Sequence, residues 1–278
     1  MPCTETTRGD YDRRSLRYAS DGTDGEWELI APFMPPRSKL GRPRRTQLRA
    51  VWNAIQYLAA TGRQWAQSPK DFPPFTTVQY CIYQLRDSGV LDVINETLVA
   101  SARVLSGRSA QLTAGVTNSQ CVKTAESGGP RGYDAGKNIK RCKRHIVTDT
   151  WGHLLAGLLH AADIQDRDGV VSVITDMCAS HPGVVCLFAD GGYAGDKLEI
   201  EMLKTDDPGI EIVRQPDDAK GFVVIARRWV VERSFAWLGR CRRLTKDWEK
   251  TIASSEAWMF IASIRITSRK IARAGYGF

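Results

Sequence analysis

Two carboxylates have neighbours that suit phosphodiester chemistry. Asp190 closes the apolar run Val184-Val185-Cys186-Leu187-Phe188-Ala189 and precedes Gly191-Gly192-Tyr193. A short apolar run stopped by Gly-Gly reads as a strand buried on both faces. A charge inside such a strand is costly, so Asp190 belongs at its carboxyl end, where open α/β sheets present ligands. Glu232 lies in Arg227-Arg228-Trp229-Val230-Val231-Glu232-Arg233-Ser234-Phe235-Ala236-Trp237-Leu238, whose apolar residues fall at helical spacing. Each carboxylate has a plain alternative. Asp190 also suits a turn before Gly-Gly, and Glu232 an ion pair with Arg228 at i, i+4. Together, and among many cations, they suit a site for two Mg²⁺ ions. Such a pair activates a water or a 3′-hydroxyl and stabilises the leaving oxygen of a phosphodiester.

The elements that must position these groups follow from periodicity. Residues 1–23 are polar and read as a flexible N-terminus. Residues 24–33 form a short helix stopped by prolines, followed by the basic loop with Arg42, Arg44 and Arg45. Leu48, Val51, Trp52, Ile55, Leu58 and Ala59 share one helical face, and Gly62 ends that helix. Thr76-Thr77 are placed to cap a second helix, and residues 90–105 form a third. Three helices beside a basic loop suit a helix-turn-helix-like module or a plain bundle. From residue 114 strands begin. Residues 114–119 read as the first, and 145–149 with 154–160 as a hairpin around Thr150-Trp151-Gly152. An acidic turn at 163–168 leads into a helix through 177. Helix 194–203, strand 210–213 and helices 226–245 and 254–272 complete a mixed α/β order. The glycine-spaced stretch 123–144 reads as an exposed loop. It carries Lys123, Lys137, Lys140, Arg141, Lys143 and Arg144, suited to DNA phosphates or to solvent.

Composition narrows the function classes. The net charge of +8 points to an anionic partner, and nucleic acid is the commonest. Seven cysteines without a Cys-x-x-Cys pair read as reduced core residues of a cytoplasmic protein. The four histidines show no metal-ligand spacing. No apolar stretch nears the length of a membrane span, and the polar N-terminus is no signal peptide.

Six segments, in this order, resemble the transposases of bacterial insertion sequences, the insertion-sequence-five family of the DDE superfamily. They are Trp27-Glu28-Leu29-Ile30-Ala31-Pro32, Gly41-Arg42-Pro43, Ser119-Gln120-Cys121-Val122-Lys123-Thr124, Arg144-His145-Ile146-Val147-Thr148-Asp149-Thr150, Ala189-Asp190-Gly191-Gly192-Tyr193 and Trp229-Val230-Val231-Glu232-Arg233. The resemblance implies a helical DNA-binding domain over 24–106 and an RNase H-like catalytic domain over 107–278, a mixed sheet flanked by helices. It implies cleavage and strand transfer at terminal inverted repeats of double-stranded DNA, with Mg²⁺ or Mn²⁺, by a homo-oligomer in the cytoplasm, associated with the nucleoid.

The family's metal-holding triad falls on Asn118, Asp190 and Glu232. The first position is a departure, because the family has Asp there. An amide supplies only a neutral oxygen to a cation, so this copy is expected to be catalytically impaired. Glu126, Asp134 and Asp149 are the nearby carboxylates, and none has the right position. Cys121 stands where the family has Ser. Of the tyrosine-arginine-glutamate-lysine signature, Arg228 and Glu232 are kept, while Ile225 and Gly239 replace the Tyr and the Lys. Arg233 and Arg240 are then the remaining phosphate contacts near Glu232. Two other readings are a catalytically silent relative that competes for transposon ends and a metal-dependent nuclease on the same core.

Overall fold

A computed structural model describes residues 9, 11–36, 44–125, 132–134, 139–195, 198, 200, 202, 208–213 and 226–275. Residues 11–23 pack against the body, which corrects the expectation of a flexible start. Arg13 pairs with Glu26 at 2.7 Å, and the Tyr18 ring packs on those of Tyr57 and Phe72, which also touch each other. Helix α1 (Asp24–Glu28) is capped by the Thr23 hydroxyl, which accepts from the Glu26 amide. A 3₁₀ turn at Ala31–Phe33 follows, because Pro32 suits a first turn and cannot extend a helix.

Helix α2 (Leu48–Thr61) buries the stripe its spacing predicts and ends at Gly62. Gly62 has φ 67° and donates to Leu58 O. A Cβ there would also lie 3.1 Å from the Arg242 backbone, so glycine serves both as helix stop and as contact point. Helix α3 (Phe75–Asp87) begins earlier than the threonines suggest. Pro74 is its N-cap, its carbonyl takes the Thr77 amide, and no side chain caps it. Helix α4 (Val90–Leu105) has the expected bounds.

The strands are β1 (Ala114–Lys123), β2 (Gly132–Asp134), β3 (Ile139–Asp149), β4 (Leu154–Ala161), β5 (Cys186–Ala189) and β6 (Gly209–Ile212). Long β3 runs antiparallel to β1, with β2 and β4 paired end to end along its other edge. β1, β5 and β6 are parallel. This mixed sheet flanked by helices, behind an N-terminal helical region, is the RNase H-like architecture expected. Two details differ. Within the stretch read as a basic loop, residues 132–134 are β2 and 139–144 belong to β3. The buried strand is shorter than its apolar run, since Val185 is 69% exposed and β5 starts at Cys186.

Helix α5 (Asp166–Ser180) covers one face of the sheet, packing with Val147, Leu155, Leu187 and Ala189. Helices α6 (Ala226–Leu238) and α7 (Ile252–Arg273) cover the other, against Val116, Ile146, Leu159 and Phe188. Helix α6 is shorter than the expected 226–245. It ends at Leu238, and a 3₁₀ turn at Arg242–Leu244 follows. Of the expected helix 194–203, residues 194 and 195 are described and not helical, while 198, 200 and 202 are described and helical. The α7 face of the sheet and helices α2–α4 share one apolar core. Buried Asn95 joins the layers, donating to Leu154 O at 2.8 Å and accepting from the Ser263 hydroxyl at 2.7 Å.

Candidate active site

β1 and β5 pair in parallel with Gly115 opposite Leu187 and Val116 opposite Phe188. Carried two residues past the last pair, the same offset would bring Asn118 opposite Asp190, just beyond the carboxyl end of β5. Side chains alternate along strands, so Asn118 shares the face of Val116 and Asp190 that of Phe188. Both of those residues pack with Val231 and Phe235 of α6. Glu232 follows Val231 and is exposed. Helix α6 lies across β1 and β5 on that face, with Val231 and Phe235 in the shared core.

The local bonds differ among the three. Asp190 Oδ1 accepts from the Gly192 amide at 2.8 Å and caps the 3₁₀ turn Gly191–Tyr193, which the glycines let fold back tightly. Asn118 Oδ1 accepts from the adjacent Ser119 amide at 2.7 Å. The donor set is two carboxylates and a neutral amide. Among the described residues no group of three or more His, Cys, Asp or Glu is placed to hold a metal ion. The residues present therefore fall one carboxylate short of the expected pair of divalent ions. The substitutes do not close the gap. Asp149 is fully buried and bonded to Arg103, to His153 and to two backbone amides. Glu126 and the Asp134 side chain lie outside the described residues.

The opposite face of β1 carries a polar network that spacing did not reveal. Ser119 donates to Asp166 at 2.8 Å, and Lys143 pairs with the same carboxylate at 3.0 Å. Beside them His145 bridges His160 and Tyr193, at 2.7 Å each. His160 Nδ1 faces the Ala161 carbonyl at 2.9 Å and must carry a proton. With both rings neutral one arrangement then satisfies every contact: Tyr193 O–H donates to His145 Nε2, and His145 Nδ1–H donates to His160 Nε2. The chain ties the turn after Asp190 to the β3–β4 hairpin. Its members come from strands and a turn that are distant in sequence, so the motif residues His145 and Tyr193 were visible but their contact was not.

Burial, and then the charge of a protonated His160, push the His145 pKa down to about 3. Unfolded histidine titrates near 6.5. The folded value is depressed, so this contribution to stability is full above about pH 6.5 and is lost as pH falls toward 3. We expect His145→Gln to flatten the fall in Tm between about pH 7 and pH 4, read by thermal melts. An unchanged slope would show that the ring is not held neutral.

The cations read as DNA contacts divide. Arg144 is buried, donates to Leu244 O at 3.3 Å, and burial lowers its pKa to about 10. It is a core group, because strand β3 turns it inward. Lys143 is engaged with Asp166 and Ile164 O. Arg44 is half-buried and donates to Pro35 O, and Arg141 is half-buried. Arg45, Lys123 and Arg240 are exposed. Arg233 is stacked between Trp229 and Trp237, with its centre 4.6 Å from each ring. Arg42 and Lys137, and the side chains of Lys140 and Arg228, lie outside the described residues.

A mixed sheet flanked by helices, behind an N-terminal helical region, is the RNase H-like fold of the DDE superfamily. Comparison with known proteins gives the family. The family described as "Transposase DDE domain" matches residues 111–266, over half of the chain, and "Putative transposase of IS4/5 family" matches residues 23–95. The chain belongs to the insertion-sequence transposases of the DDE superfamily. It is 29% identical over 140 residues to a Burkholderia cepacia protein named "Putative transposase for insertion sequence element IS402". It is 30% identical over 79 residues to "Uncharacterized protein y4sN" of Sinorhizobium fredii. These matches take in 48% and 28% of this chain, and 65% and 63% of the relatives, under two thirds of each relative's own length. No solved structure gives a significant match. Among the described residues no helix is long and apolar enough to cross a membrane.

Proposed function

We propose that this chain is an insertion-sequence transposase that recognises the terminal inverted repeats of its element in duplex DNA, with cleavage and strand transfer impaired by Asn118. The observation that supports the reading is the parallel pairing of β1 and β5, with Val116 opposite Phe188, whose register carried two residues on would bring Asn118 beside Asp190. In this reading residues 24–106 form the DNA-binding region and 107–278 the catalytic core. Exposed Arg45, Lys123 and Arg240 hold phosphates, together with Arg42, Lys137, Lys140 and Arg228. The protein acts in the cytoplasm on nucleoid DNA as a homo-oligomer. An active relative with Asp at position 118 would hold two Mg²⁺ or Mn²⁺ ions. A second role fits the same observation: an end-binding chain with a poor metal site competes with active copies for transposon ends.

End recognition is the test. Fluorescence anisotropy with the element's own end duplex and with a scrambled duplex should show a preference on the order of 10³-fold or more. Affinity should fall steeply with salt on both duplexes. Equal affinity for the two would refute end recognition. Cutting of both at the same rate would identify a general nuclease instead.

A further inference from the structure

A cleft of about 1090 Å³ opens between the β3–β4 turn, α6 and the carboxyl half of α7. Its lining holds six cations and, among the described residues, no carboxylate. Arg233 and Arg240 come from α6 and the turn after it, and Arg265, Arg269, Lys270 and Arg273 from α7. Trp151, Trp229, Trp237 and Tyr11 also line it.

The cations crowd one another. Burial, then the neighbouring Arg265 and Arg13, lower the Arg269 pKa to about 9. Burial, with Arg233 adding to it, lowers that of Lys270. Glu26 reaches Arg269 at 3.9 Å, and Asp149 stands behind His153, itself 3.1 Å from Lys270. Two carboxylates do not balance six cations, and a concave positive surface of this kind concentrates anions.

The aromatic rings narrow the choice of anion. Trp229 and Trp151 are 44% and 37% exposed, large for rings in a cleft wall. Both are braced. Arg233 fills the space between Trp229 and Trp237 and donates to Trp151 O at 2.8 Å. Arg108 and Lys270 flank Trp151 at 4.8 and 5.1 Å. A positive groove with partly exposed indoles, Trp229 the more so, suits single-stranded nucleic acid, whose phosphates take the charges and whose bases stack. A duplex keeps its base faces hidden and has no use for the rings.

We propose that this cleft binds an unpaired segment of a DNA strand, its phosphates held by the arginines and a base stacked on Trp229. The proposal rests on the chain's being a DNA transposase. Trp229 precedes Glu232 by three residues, so the two are neighbours on the helix surface. A strand at the candidate active site can therefore pass over α6 into the cleft.

The test uses the full chain and three fluorescent probes of equal length. They are an oligothymidylate, an abasic strand and a duplex, each about 20 nucleotides, longer than the roughly 4–16 that such sites span. Trp229→Ala should weaken oligothymidylate binding roughly 5- to 150-fold, the loss of one stacked base. It should leave abasic and duplex binding within about twofold, and Trp229→Phe should recover most of the loss. Trp151→Ala, on a separate element, should act in the same direction. Equal binding of oligothymidylate and abasic strand by the parent, or equal loss on all three probes, overturns the proposal. So does competition by polyglutamate as effective as by the abasic strand. Failure of end preference would sink the transposase reading alone, because none of these probes carries an end sequence.

Discussion

Asn118→Asp converts this chain into a Mg²⁺-dependent nuclease on its element's own ends, with cleavage rising by more than about 100-fold. That floor is the loss usual for removing a mere supporting partner of a metal site. The substitution is nearly isosteric, and position 118 lies in β1 two residues past Val116, which pairs with Phe188 of β5. What changes is charge. The amide oxygen now accepts from the Ser119 amide and brings no negative charge to a cation. A carboxylate there has a second oxygen, so it can keep that bond and still face a metal. The control is Asp190→Ala, or Glu232→Ala, in the Asn118→Asp background, and each should return cleavage to the parent level. The readout is strand nicking on labelled end DNA with and without Mg²⁺. If the parent cuts as fast as Asn118→Asp, position 118 is not a ligand. If neither protein cuts while both bind ends, the triad is misplaced.

The parts of the fold that were legible in the sequence are those set by local pattern. The α2 stripe and its Gly62 stop, α4 and the apolar body of β5 follow directly from spacing. The misread parts depend on distant partners. Lys140 to Arg144 look like a solvated loop because four of five residues are cationic. Yet Arg144 is accepted inside because the Leu244 carbonyl, 100 residues on, takes its N–H groups and Asp247 supplies the opposing charge. Thr76 and Thr77 are good caps by type, and Pro74 displaced them by supplying a carbonyl one turn earlier. For the candidate site, residue type singled out Asp190 and Glu232. Residue type could not show that β1 and β5 pair in parallel, or that Tyr193 is held by His145, itself bonded to His160, from the β3–β4 hairpin. Position 118 came from the family resemblance alone.

The largest stability effect should come from Asp149 and Arg103, a pair with no part in the proposed chemistry. Arg103 Nη1 meets Asp149 Oδ2 at 2.9 Å, both groups are buried, and the other oxygen takes the Trp151 and His153 amides at 2.9 Å each. Asp149 is therefore both a counter-ion and the brace of the β3–β4 turn. Removing one partner of a buried pair leaves the other charge uncompensated, at about 3–5 kcal/mol. Arg103→Met should accordingly lower Tm by about 6–20 °C. Asp149→Ala should cost more, since it also strands two backbone amides, and Asp149→Asn less, since its amide oxygen still serves the turn. Burial works to raise the Asp149 pKa, but the bonds from His153 and Arg103 outweigh it and hold the group below the usual carboxylate range. A depressed folded pKa gives stability that is full above about 4 and is lost as pH falls below it. The gap between parent and Arg103→Met should therefore narrow in acid. Trp151 and His153 stand on this turn and line the cationic cleft, so the same substitution should also weaken oligothymidylate binding at temperatures where the chain is still folded. A Tm within about 2 °C of the parent for Arg103→Met would show that the turn is held by its apolar neighbours and that the pair contributes little.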